Sequence, residues 1–412
     1  CFFRERLTFT KGQSFYCSVS GDFENFAKRN ELGLIVKDRA VIGTITSSQA
    51  DSVAWTAPTA AGMLIGTAGA ELNLTELTTT EAFGPANAQV VQQSAHGSRA
   101  VTPEVVGESV FYVQRAGRKI RNAGVDGNGV LQSTDLNALN NMLLKGGVVD
   151  TAWQSEPWQV LWVVTADGGL YALTYNREQE VVGWSRHILG GTFGSGSPVV
   201  EAVQVIPSPT NDRDDVYLIV KRTIGGVTKR YIEVMMPEVQ EGDAFNSAFY
   251  VDCGLTYSGS PATSITGLSH LNGQTVAVLA DGYVHPNCTV SGGAITLNYA
   301  ASKVHVGLAY TSVLTTMRLE AGATDGTAQG KTKRINRVTA RLHNTLQGKI
   351  GSSESNLDEI QFDNPATAWF TGDKTMPFNG GSDFDGYITF VQDLPLPATL
   401  VALFPQVTTQ DR

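Results

Sequence analysis

The stretch "LWVVTADGGLYALTYNREQEVVGWSRH" (161–187) holds an apolar run, an Asp-Gly-Gly turn and a second apolar run. A polar loop of Arg177, Glu178 and Gln179 follows, ahead of Trp184. Glycine can take the positive φ that a tight hairpin turn requires, so the stretch reads as strand, turn, strand. The polar loop and His187 admit two readings, a catalytic set or the edge of a structural hairpin used several times.

The same form recurs in "RLTFTKGQSFYCSVSGDF" near the start, "MLIGTAGAELNL" (63–74), "SVFYVQRAGRKIR" (109–121) and "VYLIVKRTIGGVTKRYIE" (216–233). With Leu7, Leu64, Phe111, Trp162 and Tyr217 as equivalent points, the steps are 57, 47, 51 and 55 residues. A period of roughly 40–50 residues with four strands per unit is the signature of β-propeller blades. A hairpin cannot bury both faces alone, so such units are expected to pack face to face. The expected fold class is therefore all-β, with propeller-like four-stranded blades over 1–250.

One segment departs from the β pattern. "STDLNALNNMLLKGG" (133–147) puts Leu136, Leu139, Met142 and Leu143 on one helical face, with Ser133 or Thr134 as N-cap and Gly146 as stop. It predicts one short helix inserted between blades. Beyond residue 250 come short strands with Asp-Gly and Gly-Gly turns, then "KTKRINRVTARLHNTLQGKIG" alternating basic with apolar residues, then "DGYITFVQDLPLPATLVALFPQV". This region, 251–412, is read as a β-sandwich or small barrel. Its stretch 351–385, rich in Ser, Asn, Asp and Gly, is expected to be long surface loops with a short strand around Ala368–Phe370.

Bulk properties narrow the function classes. The chain has 412 residues, 42% hydrophobic and 17% charged, with 43 Gly and a net charge of −9. That length can hold two domains or one large repeat, and the Gly content favours tight turns over long helices. The acidic balance lacks the bulk signature of a nucleic-acid binder, and no apolar run approaches the length of a membrane span. Cys1, Cys17, Cys253 and Cys288 form no CxxC pair and read as free, mostly buried thiols in a reducing compartment. The chain runs from Cys1, without a Met, directly into a strand-like segment, from which an upstream portion is expected.

Candidate chemistry is sparse. The six histidines, His96, His187, His270, His285, His305 and His343, include no pair at metal-ligand spacing. No GxSxG elbow occurs, and "GGTFGSGSP" (190–198) lacks the Lys-Ser/Thr end of a phosphate loop. Asp383, Asp385 and Gly386 resemble part of a calcium loop whose full twelve-residue spacing is absent, and Asp-Gly also serves turns for conformational reasons. Paired carboxylates acting on a glycan are the enzymatic runner-up, although no acidic residue recurs at equivalent blade positions. No catalytic residue, metal or cofactor is assigned. Five of the six Trp lie in or beside apolar strands, and Trp369, amid predicted loops, is the candidate exposed contact.

The basic run carries more. Lys331, Lys333, Arg334, Arg337, Arg341 and Lys349 fall within 19 residues of an acidic chain. In an extended strand, Lys333, Arg337 and Arg341 are expected to share one face. Such a face suits contact with an acidic neighbouring subunit, a solvated strand face, or DNA phosphates, in that order.

Several long strings carry a family resemblance. They are "CFFRERLTF" (1–9) with "SFYCSVSGDFENF" (14–26), "LIGTAGAE" (64–71), "QQSAHGS" (92–98), "FYVQRAGRKIR" (111–121), the opening stretch, "HLNGQTVAVLADG" (270–282), "GKTKRINRVTARL" (330–342) and "FTGDKTMPF" (370–378). Together they resemble the nozzle, or tail-tubular B, proteins of short-tailed bacteriophages and related tail-hub proteins, over nearly the whole chain. The resemblance implies a structural virion protein without catalytic residues, assembled in the bacterial cytoplasm. It implies a homohexameric ring below portal and adaptor proteins, with tail fibres or spikes as neighbours. That ring would retain the double-stranded genome and conduct it during ejection, with 351–385 a candidate for the constriction. The main alternative is a receptor-binding, glycan-binding or glycan-degrading propeller at the tail tip.

Overall fold

The computed structural model describes residues 1–45, 52–125, 131–210, 212–240, 242–320, 327–362 and 369–410. Among these, strands joined by turns and three single-turn 3₁₀ segments make up the regular structure, and there is no α-helix.

Four antiparallel meanders follow one another. The first comprises β1 to β4 (Phe2–Phe3, Arg6–Lys11, Ser14–Cys17, Val41–Thr44), the second β5 to β8 (Val53–Thr59, Gly62–Thr67, Glu71–Thr75, Gln89–Ser94). The third comprises β9 to β12 (Glu104–Val106, Ser109–Val113, Ile120–Val125, Leu131–Asp135), the fourth β13 to β16 (Val148–Gln154, Val160–Thr165, Leu170–Asn176, Val181–His187). A fifth sheet has three strands, β17 to β19 (Val199–Pro207, Asp214–Ile224, Val227–Val234). The five points aligned by spacing, Leu7, Leu64, Phe111, Trp162 and Tyr217, all fall on the second strand of their sheets. The fold is all-β with propeller-like four-stranded sheets, and the period read from the sequence is the sheet period.

The apolar runs follow from what each face touches. Successive side chains on a strand point to opposite faces. On β6, Met63 and Ile65 join Phe15 and Cys17 of the preceding sheet, while Leu64 joins Val110 and Tyr112 of the next. Phe111 and Val113 then turn the other way, onto Leu161 and Val163. A strand buried on both sides needs no polar alternation, which is why these runs are unbroken. Each fully buried Leu, Val or Phe contributes about 1.5–3 kcal/mol.

The predicted helix over 133–147 is not formed. Ser133 to Asp135 belong to β12, and the rest is one 3₁₀ turn at Ala138–Asn140 with further turns. Leu136 and Leu144 enter the core, but Leu139 and Met142 stay exposed. Only part of the apolar stripe finds a partner, and a short helix without a packed face is marginal.

By compactness the chain divides into Cys1–His187 with Val200–Ile219, and Ile188–Val199 with Val220–Arg412, rather than at residue 250. Ile224 and Tyr231, from the fifth sheet, pack into the core of the sheet that follows, which takes them into the second unit. That sheet is β20 (Asp252–Ile265), β21 (Thr275–Ala280), β22 (Tyr283–Thr289) and β23 (Ile295–Leu308), in the order β20-β23-β21-β22.

Eight strands complete the second unit: β24 (Ser312–Thr315), β25 (Thr332–Thr345), β26 (Lys349–Ser353), β27 (Asn356–Glu359), β28 (Phe370–Pro377), β29 (Ser382–Asp383), β30 (Thr389–Gln392) and β31 (Thr399–Gln410). One sheet runs β24-β30-β26-β27; the other places β25 between β28 and β31, with β29 also on β25. Ile335, Val338, Ala340 and Leu342 from β25 share a core with Ile350 and Phe390 of the opposite sheet, a sandwich arrangement. The stretch 351–385 holds more strand than the expected loops with one short strand around Ala368–Phe370, and Phe370 opens β28. It carries the end of β26 and all of β27, β28 and β29, while 363–368 lie outside the described residues. The four cysteines are unpaired, but only Cys17 is buried; Cys253 and Cys288 are half-buried and Cys1 is exposed.

Candidate functional site

The basic run lies on β25, paired along much of its length to β28 on one side and β31 on the other. Its pairing with β31 slips between Ile335 (opposite Val407) and Arg337 (opposite Gln406), so Asn336 is an extra residue. One extra residue inverts the in–out phase. Lys333 and Ile335 point inward before the bulge, and Val338, Ala340 and Leu342 point inward after it.

The expected single face therefore splits. Lys333 is 1% exposed, and its Nζ donates to the Phe384 carbonyl at 2.6 Å, so it is an interior tether and not a contact residue. Lys331 is half-buried in the turn before β25. Lys349 is held by Asp393. Arg334, Arg337 and Arg341 are exposed.

Arg341 is already engaged. Its Nε and Nη2 donate to the two Asp373 carboxylate oxygens at 2.8 and 2.9 Å, and its guanidinium lies 5.1 Å from the Phe404 ring centre. This bidentate pairing raises the Arg341 pKa and holds the Asp373 carboxyl below its ordinary range. The side chains of Arg334 and Arg337 make no hydrogen bond or ion pair among the described residues. Around them the face is polar, with Thr339 and Thr375 hydroxyls 2.7 Å apart and Asn336 donating to Thr408 at 2.8 Å. Chemically the face offers two free guanidinium groups for carboxylate or phosphate, set in neutral hydrogen-bonding surface.

The opening polar loop forms the turn between β15 and β16. Asn176 Oδ1 accepts from the Gln179 N–H at 3.0 Å in that turn, and Glu180 follows at φ +54°. In the preceding turn Gly168 sits at φ +87°, as that Asp-Gly-Gly sequence requires. Trp184 packs on the core of the third and fourth sheets and donates to the Leu136 carbonyl at 2.8 Å. His187 stands edge-on to Trp162, and burial lowers its pKa.

Two further histidines are internal fastenings. His305 bonds Thr256 Oγ1 at 2.8 Å and the Asn246 carbonyl at 2.9 Å; His285 bonds the Pro286 carbonyl at 2.7 Å and accepts from the Asn298 N–H at 2.9 Å. Among the described residues no group of three His, Cys, Asp or Glu is placed to hold a metal. Trp369 is half-buried, tilted against Phe245 at 5.1 Å, and Phe245 also meets the exposed Tyr283.

Buried Arg222 and half-buried Asp252 and Glu104 are among the polar groups that escaped the sequence reading. Fully buried Arg222 donates from Nε to the Gly190 carbonyl at 2.8 Å and pairs with Glu233. Asp252 accepts from the Gly190 N–H at 2.6 Å, yet burial still raises its pKa to about 6. Glu104 is raised to about 7 by burial and then by the nearby Asp150. The alternation along β18, with Val216, Leu218 and Val220 inward, is the signal that places Arg222 inside.

No family model matches the chain, and no curated protein does. Among solved structures, a putative 6-phosphogluconolactonase from Bacteroides uniformis is 12% identical, with 55% of this chain and 73% of that one covered and a TM-score of 0.28. A triple arginine-to-alanine mutant of AofleA from Arthrobotrys oligospora is 13% identical, with 79% and 88% covered and a TM-score of 0.27. At that likeness no residue role of either transfers to this chain.

Proposed function

We propose that this protein is a structural, non-enzymatic subunit of a phage tail, a nozzle or hub component that forms a ring and conducts genomic DNA. The observation that carries the reading is where the resembling strings fall. They fall largely on β1 to β3, β6, the end of β8, β10 and β11, β14 to β16, β21, β25 and β28, so the likeness follows much of the strand framework through both units. A ring of chains at −9 each carries the sign of DNA, and a lumen of that sign would let the genome slide. Arg334 and Arg337 then serve as a local contact of opposite charge, first for an acidic neighbouring subunit and second for phosphate.

A second reading, a receptor- or glycan-binding protein at the tail tip, is favoured by one observation, the Phe245, Tyr283 and Trp369 cluster. An electron cryo-microscopy reconstruction of the virion separates the two. The conduit reading expects sixfold density around an axial channel under the adaptor. Density at the periphery of the tail would overturn it and promote the second reading.

A further inference from the structure

The first unit carries a loop whose base is fixed and whose tip is apolar. Arg6, 1% exposed, donates to the carbonyls of Ser18, Asp38, Arg39 and Lys37 at 2.6 to 3.0 Å, and the Ser20 N–H meets the Asp38 carbonyl at 2.9 Å. Within the loop, Asn30 Oδ1 accepts from the Leu34 N–H at 2.8 Å and Arg29 donates to the Gly33 carbonyl at 2.6 Å. Yet Leu32 is 81% exposed, and Leu34 and Ile35 are each 57% exposed. Apolar side chains held out by a clamped loop mark an interaction site more than a packing error. Exposed Lys28 and Lys37 stand at its shoulders.

The second unit carries a cleft of about 260 Å³ between β27 and β28. Ile360, Met376 and Pro377 give it apolar walls, and Asp358 and Glu359 stand among its lining residues. The lining also includes Lys374, whose ammonium is held 4.9 Å from the Phe370 ring centre. The volume admits branched aliphatic side chains and lies below the usual range of small-molecule sites.

We propose that the Leu32–Ile35 tip of one copy seats in the β27–β28 cleft of the next copy, with Lys28 facing Asp358 and Glu359, while Lys37 stays with Glu81, 3.5 Å away in its own chain. The contact is heterologous, joining two different surfaces, and that is the type a closed ring needs. It rests on the ring reading above and names the surfaces that would make the ring.

The test is sedimentation velocity on the full chain. A Leu32→Asp, Ile35→Asp double variant should weaken self-association by about a hundredfold, while its denaturation midpoint stays at the wild-type value. Lys28→Glu and Glu359→Lys should each weaken it by about fivefold, and the two combined should restore it. Self-association that ignores the tip substitutions, or charge reversals that fail to rescue each other, would overturn the contact while leaving the ring reading intact. A wild-type chain that never associates, with tip-dependent pelleting on anionic vesicles, would overturn the contact in favour of a lipid surface. A virion reconstruction without a ring would remove the ring reading separately.

Discussion

Strands β14 and β25 are both central in their sheets, and they obey different rules. β14 is buried along its whole length, with Leu161 and Val163 in the apolar core of the third and fourth sheets and Trp162 against His187 on the other face. β25 is buried on one face only, and the identity of that face changes at Asn336. In β14 a misjudged phase costs the reader nothing, because both phases are inside. In β25 a single bulge decides which cation is a contact and which is an anchor.

Truncation at the centre of β14 should give the largest effect. Leu161→Ala removes a fully buried side chain between two sheets and should cost about 2–5 kcal/mol. Urea denaturation reads this directly; a loss under 1 kcal/mol would mean that the third and fourth sheets do not share a core.

The next substitution breaks or upholds the split on β25. Lys333→Ala removes the ammonium that donates to the Phe384 carbonyl and empties the space of the buried stem, costing about 2–3 kcal/mol. Lys333→Met keeps the stem and should recover part of the loss. If Lys333→Ala were neutral, Lys333 would belong with the surface arginines and the bulge assignment would fall.

In the first unit, Glu104 offers a comparison by pH. Its folded pKa of about 7 stands above the ordinary carboxyl value, so the folded state holds the proton more tightly than the unfolded chain. The stability this gives is complete below the unfolded pKa and is lost as pH rises through about 7. Glu104→Gln cannot titrate, so it should overtake the wild type by about 1–2 kcal/mol at pH 8, a linkage figure discounted for partial exposure. Parallel denaturation curves from pH 5 to 8 test the sign; a wild type that gains stability with pH relative to the variant would contradict it.

The legibility of the fold follows the same contrast. The blade period is readable because β6, β10 and β14 are apolar whatever their phase, as at Leu64, Phe111 and Trp162. The helix at 133–147 was misread because periodicity records which side chains could share a face and not whether Leu139 and Met142 find a partner. The expected short strand stops at Phe370, where β28 begins, because Gly372, Asp373 and Lys374 lack strand propensity, and pairing with β25 overrides it. At the candidate site the residue types were legible and the geometry was not: nothing in "KTKRINRVTARL" announces a bulge, and Asp373, which engages Arg341, lies 32 residues away. Nothing local marks Arg6 as buried, because its partners are backbone carbonyls of Ser18, Lys37, Asp38 and Arg39.

The smallest expected stability effect belongs to the residues most exposed to function. Arg334→Ala and Arg337→Ala remove side chains without partners among the described residues, and each should change folding stability by less than about 0.5 kcal/mol. Arg341→Ala strips Asp373 of its pair and uncovers Phe404, so it should fall above them, although a solvent-exposed pair remains a modest contributor. Their effect on assembly should run the opposite way. Arg334 and Arg337 are the cations still available to a carboxylate or phosphate, so their loss should weaken the contact they make, while Arg341→Ala leaves that contact largely in place. Fluorescence anisotropy with a DNA duplex across a salt series separates the two partners: a phosphate contact lowers the slope of log affinity against log salt by about one for each arginine removed. An unchanged slope, with self-association weakened by the same substitutions, assigns the pair to a neighbouring subunit.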